Sequence, residues 1–168
     1  MAVRDLYETD FVAWTEDQAA RLRDLKGDPR LDAEHLAEEV ADLGRSELAR
    51  VSSLVRNTLV HLLKLALEPD SPAAAHWVEE ALAFQNDALL ALSPGMRQRI
   101  DMERLWRQAC KQARQALAQQ GVTVPRLPDA CPVALDTLLD EDFDAGQAVE
   151  HVRKAIQGFQ PANLTGGL

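Results

Sequence analysis

His61 stands out among the residues of this chain that could do chemistry. An imidazole titrates near neutral pH, so it can act as a general base, a proton donor or a ligand. Helical spacing places it with Leu36, Leu43, Leu54 and Leu65, on the expected core face. Two readings stay open: a core histidine satisfied by a carbonyl or a side chain, or a general base or ligand in a pocket. Lys64, one turn on, is either a cationic neighbour or a flank whose charge reaches out to solvent. Acids gather elsewhere: Glu38, Glu39, Asp42 and Glu47 surround Gly44, and Glu47 falls on the apolar stripe. A metal-binding bundle would recruit His35 or His61 to them. Helical di-metal sites take Glu-x-x-His pairs from two helices, and the chain offers only Asp32-x-x-His35 and the reversed His76-x-x-Glu79. Glu47 and His61 also lie about 21 Å apart along one helix at 1.5 Å per residue. No metal ligand is therefore assigned, and Arg45 and Arg50 are the local partners for these acids. Asp10 beside Trp14, with Arg21 further along the same side, reads most simply as a structural ion pair. Asp10, Trp14, Glu38, Glu39 and Glu47 complete the candidate binding residues. A phosphate-binding glycine loop, a nucleophile elbow, a zinc cysteine set and a dinucleotide fingerprint are all missing, so no cofactor is expected. Cys110 and Cys131 are too few for a disulfide framework and read as small buried residues.

The elements that would position these residues are helices. The first is expected over about 10–26, capped by Thr9, with Phe11, Trp14, Gln18, Leu22 and Leu25 on its inner face and Gly27-Asp28-Pro29 as its stop. Asp32 caps a second, with acids in its first turns and a stripe of Leu36, Val40, Leu43, Val51, Leu54, Thr58, Leu62 and Leu65. Unbroken to Leu67, it would run about 54 Å, longer than the roughly 40 Å breadth of a compact domain of this size. It must break, bend or protrude: Gly44 is the expected break, and protrusion would need a partner chain over the stripe. A third helix opens at Ser71-Pro72 with Trp77, Val78, Ala81, Leu82, Ala88, Leu89 and Leu92 inside. A fourth opens at Ser93-Pro94 and ends at Gly121. Met102, Leu105, Trp106, Ala109, Ala113 and Leu117 line its inner face, and Arg97, Arg104, Arg107, Lys111 and Arg114 its outer face. The three tryptophans read as core anchors. After a proline-rich connection come a short helix over about 132–139 and a last one opened by the Asp144–Gln147 capping box, presenting Val149, Val152, Ile156 and Phe159. The organisation expected is an all-α antiparallel bundle of four main helices over 1–143, a C-terminal helix over 144–160 packed on the bundle or a partner, and a flexible tail over 161–168.

Composition agrees. Of 168 residues, 26 are Ala and 25 Leu, against 20 Val, Ile and Thr together, which disfavours a sheet. The hydrophobic share of 46% argues against disorder. No apolar run reaches membrane-spanning length and Met1–Thr9 carries no secretory pattern, so a cytoplasmic protein is expected. The net charge of −9 disfavours nucleic-acid binding. That charge is uneven: residues 1–50 hold 13 acids and 7 bases, while the fourth helix has a basic outer face. Such polarity favours protein association, including self-association through complementary patches.

Several blocks resemble motifs of domain-of-unknown-function family 29. They are Asp10-Phe11-Val12-Ala13-Trp14-Thr15, Leu36-Ala37-Glu38-Glu39-Val40 with Leu43-Gly44-Arg45-Ser46-Glu47, and His61-Leu62-Leu63-Lys64. Pro128-Asp129-Ala130-Cys131-Pro132 followed by Leu138-Leu139-Asp140 completes the set. The resemblance covers about residues 5–143, with Leu65 and Val133 where the family often has aromatics. It implies an all-helical bacterial protein and no activity. Arg56-Asn57 with His61 separately resembles the ribonuclease motif of the HEPN superfamily, in which Arg would bind the scissile phosphate and His would do acid–base chemistry. Positions five apart on one helix diverge by about 140°, so that site would need a second subunit. The reading expected is a non-enzymatic interaction or helper module, a homodimer or partner of another helical protein. A HEPN-like ribonuclease or toxin–antitoxin component using Arg56 and His61, and a metal-binding bundle, are its alternatives.

Overall fold

The computed structural model describes residues 3–25 and 30–159. Among these residues there are eight helices and no strand: α1 (Val3–Thr9), α2 (Phe11–Asp24), α3 (Ala33–Leu67), α4 (Ala74–Ala91), α5 (Pro94–Arg97), α6 (Met102–Gln119), α7 (Leu135–Leu138) and α8 (Ala145–Phe159). The fold is all-α, as composition predicts. The expected end of the first helix at Lys26, its Gly27-Asp28-Pro29 stop and the tail over 161–168 lie outside the described residues. The chain divides into two compact units: residues 1–53 with 90–100, and residues 54–89 with 101 onward.

The first unit holds α1, α2, the opening of α3 and α5. Asp10, not Thr9, caps α2: its Oδ1 accepts the Ala13 N–H at 3.1 Å, while the Thr9 hydroxyl donates to Asp5 O within α1. A carboxylate at this position is worth about 1 kcal/mol to a helix. The buried face of α2 is Val12, Thr15 and Ala19. The expected face is one position off, for Phe11 and Trp14 are half-buried and Leu25 is exposed. Trp14 instead joins an aromatic group at the α1–α2 corner, stacked on Phe11 at 5.6 Å and edge-on to Tyr7 at 4.8 Å.

The Asp32 carboxylate accepts the His35 N–H at 3.3 Å, as a cap at the start of α3 should. The helix then runs 35 residues without a break. Gly44 is a contact point, not a hinge: a Cβ built there would lie 3.2 Å from Thr15 Cβ and closer still to Thr15 Oγ1. The missing side chain lets the α3 backbone approach α2, and Thr15 remains satisfied because its hydroxyl donates to Val12 O at 2.8 Å. This close approach sets the rotation of α3 about its axis. Ala37, Gly44 and Val51 are buried, whereas Leu36 and Leu43 are 42% and 53% exposed. The expected stripe is thus displaced by one residue, or about 100°, over the first half of the helix.

The second unit is a helical bundle built on the remainder of α3 with α4, α6, α7 and α8. His61 meets Glu80 and Lys64 meets Trp77, so the residue number falls on α4 as it rises on α3 and the two helices pair antiparallel. From residue 58 to 66 only Lys64 escapes full burial, the all-round pattern of a central helix. Leu65, Trp77 and Leu117 form a cluster joined by Val149 of α8 and by Val122 and Val124, so α8 packs within this unit. Trp106 is fully buried and its indole N–H donates to Pro128 O at 2.7 Å, which pins the proline-rich connection.

Two boundaries and one helix face differ from expectation. Ser71-Pro72 makes a turn ahead of α4, with Ala73 N–H donating to Ser71 Oγ at 3.3 Å, and the helix begins at Ala74. The fourth expected helix is two, α5 and α6, because Asp101 starts a new one by accepting the Arg104 N–H at 3.0 Å. Arg97 therefore lies on α5, apart from the exposed Arg104, Arg107, Lys111 and Arg114 of α6. Val78 and Leu82, expected inside, are exposed, since the α4 face turned inward is Trp77, Ala81, Gln85 and Ala88. Gly121 ends α6 with a φ of 77°, the left-handed conformation that glycine adopts without strain. Asp144 Oδ1 accepts the Gln147 N–H at the start of α8.

Candidate functional site

His61 is 8% exposed on α3. Its Nε2 lies 3.3 Å from Glu80 Oε2, and His76 Nε2, one turn before Glu80 on α4, lies 3.5 Å from the same oxygen. The ring tilts at 31° to Phe84, 5.7 Å between centroids. Burial pushes the His61 pKa below the usual 6.5, Lys64 and His76 push the same way, and Glu80 opposes them. Facing a carboxylate through Nε2 favours the neutral tautomer with its proton there and the lone pair on Nδ1. Nδ1 is buried without a hydrogen-bond partner. Sequence reasoning singled out Glu79 and missed Glu80. The signal was present, because positions i and i+4 share a helix face and His76 and Glu80 stand four apart.

The other candidates are dispersed. Arg56 is half-buried, with Nη2 3.5 Å from Asn57 Oδ1 and a buried, unpartnered Nε. On an unbroken helix it points about 140° away from His61, so one chain does not bring the pair together. Lys64 holds its ammonium 5.4 Å above the Trp77 ring, a cation–π contact. Asp10 joins two helix starts: beyond capping α2 it accepts the Ser93 hydroxyl at 2.9 Å. It has no ion pair with Arg21, which binds Asp17 at 2.7 Å. Arg99 of the same unit binds the Glu16 carboxylate through two nitrogens.

The acidic cluster is a solvated face. Glu38 and Glu39 are exposed, Asp42 pairs with Arg45, and Glu47 pairs with Arg50 at 3.0 Å. His35 is held by Asp32 at 2.7 Å. Asp32, then Glu38 and Glu34, raise its pKa above 6.5. Among the described residues no three His, Cys, Asp or Glu side chains are grouped to hold a metal ion. Burial pushes the Cys110 thiol up to about 12 and the Cys131 thiol to about 11, which leaves both weak nucleophiles.

The surface that remains unexplained is apolar. Leu25, Leu31, Leu36 and Leu43 are all exposed in the first unit, and Leu36, Val40 and Leu43 share one side of α3 by helical spacing. Long apolar side chains repeating at 4 and 3 residues along a solvent face are the pattern of a helix that docks another helix. Among the described residues no helix is long and apolar enough to cross a membrane.

Comparison with known proteins agrees with this geometry and adds no activity to it. No curated protein matches the chain. A crystal structure of an alpha-helical protein of unknown function from Rhodospirillum rubrum matches at 38% identity and a TM-score of 0.81, covering 87% of this chain and 96% of that one. The family described as domain of unknown function DUF29 matches residues 6–144. That span takes in the His61, Glu80 and Asp10 contacts and the exposed face of α3, and the chain belongs to the DUF29 family.

Proposed function

We propose that this protein is a non-enzymatic interaction module of the bacterial cytoplasm that docks a helical partner along the first half of α3. The observation that carries the reading is the pair of exposed leucines Leu36 and Leu43, with half-buried Val40 between them on the same side of α3. Fully burying a leucine is worth about 1.5–3 kcal/mol, so covering two leucines about half exposed supplies a few kcal/mol to an interface. The polar candidates support the same reading from the other side. His61 is closed in against Glu80 and Phe84, Lys64 lies on Trp77, and Arg56 points elsewhere. His61 and Lys64 thus have packing roles, and Arg56 is not brought to His61 within one chain.

The test is photo-crosslinking in cells. A benzoyl-phenylalanine replaces Leu43 in one variant and Ala49 in another; Ala49 is exposed on the far side of α3. Discrete adducts from position 43, absent from position 49, are expected. Equal or absent adducts from the two positions overturn the reading.

A further inference from the structure

We propose that the outer face of α6, in the second unit, is a separate docking surface, and that the row Arg104, Arg107, Lys111 and Arg114 takes an acidic helical segment of another protein. The proposal goes beyond the α3 reading and stands on different residues.

The four bases follow one another at intervals of 3, 4 and 3 and lie within about 80° around the helix at 100° per residue. All four are exposed. The chain has 27 acids for 18 bases, so carboxylates outnumber the bases they could pair. Elsewhere Arg21, Arg50 and Arg153 each bind one at 3.0 Å or less, and Arg45 binds Asp42. On α6 Arg107 meets Glu103 at 3.9 Å. The charged groups of Arg104, Lys111 and Arg114 have no carboxylate partner among the described residues.

The row is also unfavourable to its own helix. Like charges three and four residues apart repel, and 104–107, 107–111 and 111–114 are such pairs. Arg104 stands in the first turn, where the helix dipole disfavours a cation. Departures from local rules gather at functional sites, and an anion laid along the row relieves all of these repulsions at once.

The geometry selects the anion. Successive bases rise about 5 Å along the axis on average, at 1.5 Å per residue. A second helix with acids at the same intervals repeats that rise. Same-face residues of an extended strand stand about 6.6 Å apart and fall out of register within the row. Arginine, the base at 104, 107 and 114, forms two parallel hydrogen bonds to one carboxylate. Single-stranded nucleic acid draws on exposed aromatics for stacking, whereas Trp106 of α6 is fully buried. The net charge of −9 also repels a long polyanion. A lipid surface needs a free apolar face, and that of α6, from Leu105 to Leu117, is buried.

The test is fluorescence anisotropy on the full chain at low salt. The probe is a labelled peptide of Glu-Ala-Ala-Glu-Ala-Ala-Ala repeats, about 21 residues and long enough to hold a helix. Its isomer has the same glutamates distributed around the helix. Arg104→Gln/Lys111→Gln/Arg114→Gln removes the unpaired charges, and Arg21→Gln/Arg45→Gln/Arg50→Gln removes as many at paired positions. The one-faced peptide is expected to bind wild type. The α6 variant should weaken it at least about ten-fold, the control variant by no more than about two-fold, and the isomer should bind at least about five-fold more weakly. The α6 variant, relieved of its like charges, should melt no lower than wild type. Equal weakening by the two variants, no binding at all, or a lower melting midpoint in the α6 variant overturns the surface. Equal binding of the two peptides overturns the helical partner. An oligouridylate or phosphatidylglycerol vesicles that bind more tightly than the peptide, and are lost in the α6 variant, overturn a protein partner. A salt-labile dimer in sedimentation that the α6 variant abolishes makes the occupant a second copy and overturns a separate one. Adducts from position 43 report on α3 independently, so either surface can fail while the other stands.

Discussion

One helix runs through both units of this protein and is used in opposite ways. In residues 33–50 of α3 the small residues Ala37 and Gly44 face inward, and Leu36 and Leu43 face solvent. In residues 58–66 nearly every side chain is buried whatever its direction. The second half is the central element of a bundle and its burial is complete within one chain. The first half packs by backbone approach, which takes small residues, and the large apolar side chains are left over. A folded chain rarely leaves a contiguous row of large apolar groups uncovered without a use for it. The difference separates where stability is expected to reside, in the second half, from where the proposed association would act, in the first.

The sharpest break of this contrast is a pair of truncations on α3. Leu62→Ala removes a fully buried side chain and is expected to cost about 2–5 kcal/mol. Leu43→Ala, measured by urea unfolding at a dilution where the chain is monomeric, should change stability by no more than about 0.5 kcal/mol. Similar losses at the two positions would mean that Leu43 is covered within its own chain, and the contrast would fail.

Gly44 gives the next effect. Glycine to alanine within a helix gains about 0.8–1.0 kcal/mol of propensity, but the added carbon meets Thr15, and overpacking costs about 1–3 kcal/mol. Gly44→Ala is expected to destabilise by about 1 kcal/mol, and Thr15→Ala in the same chain, which deletes the colliding hydroxyl, to recover most of that loss in a double-mutant cycle. Stabilisation by Gly44→Ala alone would show that the glycine loosens the helix and is no contact.

Gly44 also shows how far this fold could be read from residue types. Most helices were legible, from abundant Ala and Leu and from Asp32, Gly121 and Asp144 at the ends, because caps act locally; α1 over Val3–Thr9 was not expected. The family motifs were legible too, and they mark the chain as DUF29. The rotation of α3 was not legible. A periodicity argument follows the largest apolar residues, Leu36 and Leu43, whereas a close crossing is set by the smallest, Ala37 and Gly44. The start of α6 was missed for a similar reason: Ser93-Pro94 is a strong opening signal, but Asp101 caps a second helix eight residues later. At the candidate site His61 is buried while Leu36 and Leu43, its companions on the expected face, are exposed, and Glu80 became a partner only through the pairing of α3 with α4, which no single-helix pattern contains.

The smallest expected effect separates two histidines on α3. His61, in the second unit, has its pKa lowered by burial, then by Lys64 and His76. His35, in the first, has its pKa raised by Asp32, then by Glu38 and Glu34. In the unfolded chain both titrate near 6.5, so their contributions to stability run in opposite directions. For His61 the unfolded state takes up the proton first. Its contribution is present above pH 6.5 and is lost as pH falls from 6.5 through the lower folded value. For His35 the folded state binds the proton more tightly. Its contribution is complete below pH 6.5 and is lost as pH rises through the higher folded value, and full exposure keeps it small. A histidine-resolved NMR titration should place the His61 midpoint below 6.5 and the His35 midpoint above it. Glu80→Gln, by removing the one charge that opposes the shift, should lower the His61 midpoint further and leave His35 unmoved. Coincident midpoints would mean that His61 reaches solvent, and the closed second half of α3 would then be no more shielded than the open first half.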